Sequence, residues 1–256
     1  MISFFSRPLR LVALVAVIGI AGAVYWVWHG AHTSTAVSQD TVLTEYRAKN
    51  VSDAPPAPGV PASGVYRFRA TGKESAGSGV LSVSRDLPAE AVYIITPKAG
   101  GYHEDLRFSQ EHVEEADFAV GAKGASATWR RTKVTFVGIG TDDRDPVEPP
   151  SFDHPSQFTV GKTWKGAYRL GDLAVTYTGT ITGRETAQLD GRQIPVYVIR
   201  TDSAFKGSTP GTRTDTLRWS PDLSLPVTWS IQQKTGGDAE FAIDADLTLV
   251  SGTPQR

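Results

Sequence analysis

The chain has no cysteine, a single methionine and a single asparagine, Asn50. Without a thiol there can be no disulfide, no thiolate metal site, no cysteine nucleophile and no lipid-modified cysteine, so tight side-chain burial must hold the fold together. Neither sign of charge is in surplus, with 26 Lys and Arg against 27 Asp and Glu. Such a balance offers no basic field to hold phosphates, which argues against a nucleic-acid partner. The nucleophile-elbow motif G-x-S-x-G is absent. The glycine-rich stretches "SAGSGV" and "GAKGAS" do not open a helix after a strand, so phosphate cradling is unsupported. His103, His112 and His154 lack H-x-x-x-H spacing and are expected at the surface or in loops. The acidic run Asp142, Asp143, Asp145 and Glu148 lacks the sharp-bend glycine of a calcium loop. No metal and no cofactor is expected.

The one long apolar run lies at the start. Arg7 and Arg10 precede an uncharged stretch from Leu11 to Trp28 that closes on Tyr25, Trp26 and Trp28. Eighteen helical residues reach about 27 Å, the depth of a bilayer core, and the flanking cations and aromatics suit its two boundaries. The expectation is a cytoplasmic stub over 1–10, a transmembrane helix over 11–28 and the bulk of the chain outside. The alternative is a signal peptide cut after Ala23 or Ala36, with the protein secreted. Residues 29–63 read as a polar and proline-rich spacer, since "VSDAPPAPGVPAS" can neither continue a helix nor feed a sheet ladder.

Beyond residue 64 the apolar residues recur with period two. In "LAVTYTGTIT" Leu173, Val175, Tyr177 and Ile181 alternate with alanine and threonine, and "PVTWSIQ" and "EFAIDADLTL" repeat the pattern. Such strands have one dry and one wet face and suit antiparallel sheets. Several segments also occur twice. "YRFRATGKESA" from Tyr66 parallels "YTGTITGRETA" from Tyr177, "AVYIITP" parallels "PVYVIRT", "LRFS" parallels "LRWS", and "KVTFVG" parallels "DLTLVS", all in one order. This predicts two diverged β repeats, 64–138 and 161–252, joined by an acidic, proline-rich connector over 139–160 and followed by a tail over 253–256. The fold class is all-β: two antiparallel repeats closing on each other as a sandwich or a partly open barrel, preceded by one transmembrane helix.

Glu74 and Glu185 occupy equivalent places in the repeated T-G-[KR]-E motif. Two carboxylates across a pseudo-twofold could serve a hydrolase. The alternative is structural, with Glu74 paired to Arg107 and Glu185 to Arg218, the arginines being equivalent in the two halves. Trp129, Trp164, Trp219 and Trp229 are candidates for the core or for an apolar ligand groove.

The second repeat, from Gly161 and Trp164 through Thr182–Glu185 and Gly191–Val196 to "WSPDLSLPV" at Trp219, resembles secreted bacterial β domains of unassigned function. Its last part is also similar to the periplasmic lipoprotein-carrier superfamily, and that resemblance implies a half-open barrel holding acyl chains. The expected protein is a membrane-anchored extracytoplasmic binding or envelope-assembly module and not an enzyme, with a lipid or envelope protein as partner. Carriage of an amphiphile between the sheets and hydrolysis by Glu74 and Glu185 are the alternatives.

Overall fold

A computed structural model describes residues 33–49, 56–78, 81–136, 139–237 and 240–256. The expected membrane span over 11–28 and the stub before it lie outside these residues. Among the described residues no helix is long and apolar enough to cross a membrane.

Among the described residues thirteen strands follow one short helix, α1 (Gln39–Ala48). They are β1 (Gly64–Ser78), β2 (Leu81–Asp86), β3 (Glu90–Lys98), β4 (Gly101–Arg107), β5 (His112–Gly121), β6 (Gly124–Phe136) and β7 (Ile139–Pro155), then β8 (Thr163–Leu170), β9 (Leu173–Leu189), β10 (Arg192–Lys206), β11 (Gly211–Ser220), β12 (Leu225–Thr235) and β13 (Glu240–Leu249). The all-β reading holds, but the arrangement of two sheets or an open barrel does not. From β3 to β13 each strand pairs with the next, β1 pairs with β3, and β13 returns to β1, closing a twelve-strand antiparallel barrel. The seam is long, running from Phe68 opposite Leu249 to Gly77 opposite Glu240. Closure satisfies the backbone groups that two separate sheets would leave at four edges, which is the physical reason for preferring it.

The repeats are real as sequence, but they do not build two equal halves. Their matched segments fall on β1 and β9, β3 and β10, β4 and β11, and β6 and β13. Counted round the ring, each matched pair is seven strands apart one way and five the other, because β7 and β8 intervene on one side only. Residues 139–155, expected as a connector, form β7, which pairs along β6 but meets β8 through a single pair, Glu148 opposite Arg169.

Each T-G-[KR]-E glycine marks a bend. At Gly72, β1 leaves β3 and takes up β2, with Leu87 N–H donating to the Gly72 carbonyl. At Gly183 the register of β9 against β10 slips at a bulge. On β8 and β9 two aromatics lie over glycines directly opposite, Trp164 over Gly179 and Tyr177 over Gly166. A side chain at either glycine would occupy the ring's place.

The polar spacer contains α1, a helix the sequence analysis missed. Ser38 caps it, and Val42, Leu43 and Tyr46 bury against Val65, Val92 and Ile94 on the outer face of β1 and β3. Three apolar positions in ten residues are too few for a periodicity signal, and the barrel supplies the other half of the contact. Leu43→Ala should lower stability by about 2–3 kcal/mol in urea denaturation. An unchanged midpoint would mean that the helix is not bound in solution.

Ahead of α1 the chain is already tied to the barrel. Ser34 Oγ donates to the Asp86 carbonyl at 2.6 Å, Thr35 N–H donates to the Glu111 carboxylate at 2.9 Å, and Gln110 N–H donates to the Thr35 carbonyl at 2.9 Å. The proline-rich segment therefore lies between α1 and β1. It is not the link between the apolar run and the barrel.

Candidate functional site

The barrel interior is divided along its axis. At the end where β3 meets β4, β5 meets β6 and β11 meets β12, the core is closed by Tyr66, Phe68, Tyr102, Phe118, Leu189, Leu225 and Leu249. Tyr102 stacks on Phe118 with ring centres 5.0 Å apart. Above this plug, among the described residues, lies a cavity of about 1170 Å³. Its lining reaches the opposite hairpins through Phe136, Ile139, Leu173, Ser208, Thr209 and Phe241. Ile139 at this mouth is 81% exposed, the most exposed large apolar residue described.

Between plug and mouth the wall carries a charged belt. Arg213 on β11 donates to Glu114 on β5 at 2.9 and 3.1 Å, to Asp215 at 2.9 and 3.1 Å, and to Gln233 at 3.2 Å. Trp229 Nε1 donates to Asp215 at 2.9 Å. Burial alone would raise the Glu114 carboxyl, but the charge of Arg213 and the His112 ring hold it well below the usual carboxylate range. Glu104 on β4 accepts a very short hydrogen bond from Tyr93 and has no cation in contact among the described residues. Burial pushes it up to about 7, outweighing that bond. Asp153 on β7 also lines the cavity, half-buried, and despite the desolvation there its hydrogen bond with His154, 2.7 Å long, keeps it below the usual range.

One end of the belt joins a second buried cluster. His112 Nδ1 lies 2.6 Å from Glu74, and Arg85 Nε donates to the other oxygen of Glu74 at 2.7 Å. The Arg85 guanidinium also sits 4.0 Å above the Phe136 ring. Desolvation works against charge on His112, yet Glu114 and Glu74 on either side raise it to about 9.

The sequence-selected residues are therefore dispersed. Glu74 is paired with Arg85 and His112, while Arg107, half-buried on β4, is paired with Asp105 at 2.8 Å and Glu45 at 3.1 Å. The physical reason is register, since Arg85 stands directly opposite Glu74 and Arg107 lies on a strand that does not touch β1 at that level. Glu185 and Arg218 meet at 2.7 Å with about half of each side chain exposed. Neither Glu74 nor Glu185 lines the cavity, so the two do not share a cleft. Of the four tryptophans, Trp219 and Trp229 line the cavity. Trp164 lies edge-on to Phe152, and Trp129 sits beside His103.

His112 and His154, expected at the surface, are 1% and 5% exposed. For His112 a signal was present, because His112 and Glu114 stand two apart on a strand whose other inward positions, Ala116 and Phe118, are apolar. Comparison of the chain with protein-family models, with curated proteins and with solved structures gives no match in any of the three.

Proposed function

We propose that the protein is a non-enzymatic binding barrel that holds an amphiphile inside the ring. The observation that carries this reading is the cavity of about 1170 Å³, open at one end and larger than a typical small-molecule pocket, whose wall combines apolar side chains such as Val134, Phe136, Leu170 and Phe205 with a charged belt at depth. Catalysis by Glu74 and Glu185 is not favoured, because one is locked in a buried ion cluster and the other pairs on the exterior. Attachment through the apolar run 11–28 suits this role. The ties at Ser34 and Thr35 sit on the mouth side, next to the turn from β4 to β5. Residues 29–33 can span at most about 18 Å, so an anchor over 11–28 would hold the mouth close to a bilayer surface. An amphiphile could then pass between membrane and barrel with little exposure to water.

The test uses the two tryptophans in the wall. An ω-bromo fatty acid of medium chain length, added to the full chain held in an amphipathic polymer, should quench tryptophan fluorescence saturably. The Trp219→Phe, Trp229→Phe double variant should lose most of that quenching. Quenching that never saturates, or that is the same in the double variant, would overturn the reading.

A further inference from the structure

Among the described residues two arginines line the cavity, Arg130 and Arg213, and their surroundings differ. Arg213 is saturated by Glu114, Asp215 and Gln233. Arg130 on β6 has no ion pair or hydrogen bond among the described residues, and its Nε is buried without a partner. Its guanidinium faces the cavity. The carboxylates around it are engaged elsewhere, Glu104 by Tyr93 and Asp153 by His154. A half-buried cation whose Nε is shut off from water and unpartnered leaves hydrogen-bonding capacity unused.

Local backbone geometry puts it there. Up to Ala127, β6 turns its odd-numbered residues inward, and a register shift between Ala127 and Trp129 reverses the order. Arg130 is thereby turned into the barrel. The adjacent Arg131 is turned out, where it pairs with Glu115 and Asp142.

We propose that Arg130 is the head-group anchor of the cavity and that the ligand is an amphiphile ending in a single carboxylate. This rests on the amphiphile-binding reading and specifies its ligand class. A guanidinium binds a carboxylate through two parallel hydrogen bonds. One free guanidinium can pair with one carboxylate, and since nine Asp and Glu side chains line the cavity against two arginines, a phosphate dianion would be repelled. Towards the mouth, Val134, Phe136, Leu170 and Phe205 provide apolar wall for the chain.

The experiment compares an ω-bromo fatty acid with the ω-bromo alcohol of equal length, by tryptophan quenching, in the full chain and in Arg130→Gln and Arg130→Lys. Arg130→Gln should weaken carboxylate binding about tenfold or more and leave alcohol binding unchanged. Arg130→Lys should restore part of the carboxylate preference. Near-ultraviolet circular dichroism confirms that each variant is folded. If the barrel binds acid and alcohol equally and Arg130→Gln changes neither, the head-group assignment is wrong while the binding barrel stands. If Arg130→Gln weakens both alike, Arg130 shapes the cavity and does not read the carboxylate. If neither probe binds the unaltered chain, both readings fall.

Discussion

Glu74→Ala should lower the unfolding free energy by about 3–5 kcal/mol, the usual effect of removing one partner from a buried ion pair. The side chains of Glu74 and Arg85 are both 0% exposed and that of His112 is 1% exposed. Without the carboxylate, Arg85 would be a fully enclosed cation facing an empty site, and His112 would keep only Glu114. The same motif position in the second repeat gives the control. Glu185 and Arg218 are about half exposed, where water already solvates both, so Glu185→Ala should change stability by less than about 1 kcal/mol. Urea denaturation of the two variants checks this, and similar losses would mean that the Glu74 cluster is hydrated in solution.

The cluster also shapes stability against pH. His112 is raised in the folded chain, so its contribution is complete below its ordinary value near 6.5 and is lost as pH climbs through about 9. Glu74 is lowered, since its bonds to His112 and Arg85 outweigh the burial that would raise it. Its contribution is present above the ordinary carboxylate range and is lost on acidification. Glu74→Ala should therefore flatten the alkaline side of the stability profile as well as lower the whole curve.

Gly72→Val should cost about 3 kcal/mol or more and should open the ring. Gly72 has φ +125°, and a Cβ there would stand 2.0 Å from the Asp244 carbonyl oxygen and 2.9 Å from the Ala245 Cα. Backbone strain of about 1–3 kcal/mol adds to overpacking of similar size. The neighbours are backbone atoms of β13, so relief requires β1 and β13 to part, exposing two strand edges. The variant should therefore form oligomers on size-exclusion chromatography as well as unfold earlier in urea. At Gly183, the equivalent glycine, a Cβ would meet nothing closer than Val198 at 3.8 Å, and φ lies outside the left-handed region. Gly183→Val should be nearly neutral, and an equal penalty at both positions would show that the seam does not tighten at Gly72.

These contrasts show how far the repeats can be read. The T-G-[KR]-E motif was visible as a recurring bend, and both copies are bends. Yet one copy is a buried ion cluster at the closing seam and the other a solvated pair on the outer wall, because the partner strands differ. The candidate site was legible only in pieces. Of the four tryptophan candidates for core or groove, Trp219 and Trp229 do line the cavity. The polar belt did not emerge, since Glu104, Glu114 and Arg130 are charged residues at inward positions, where alternation predicts apolar ones.

The sequence by itself determined the class of structure: antiparallel strands with one wet and one dry face, bends at repeated glycines, and no support from disulfides or thiolate-bound metal. Those properties are local, set by each residue's neighbours one or two positions away. The tertiary structure alone decided that β1 and β13 meet, that the expected connector enters the wall as β7, and that Glu74 finds Arg85 and His112 in place of Arg107. Closure pairs residues 163 to 181 positions apart, from Gly77 with Glu240 to Phe68 with Leu249, and one bulge beside Trp129 selects which of two adjacent arginines faces the cavity. Strand periodicity records which faces are dry, but only the assembled ring sets what stands opposite them.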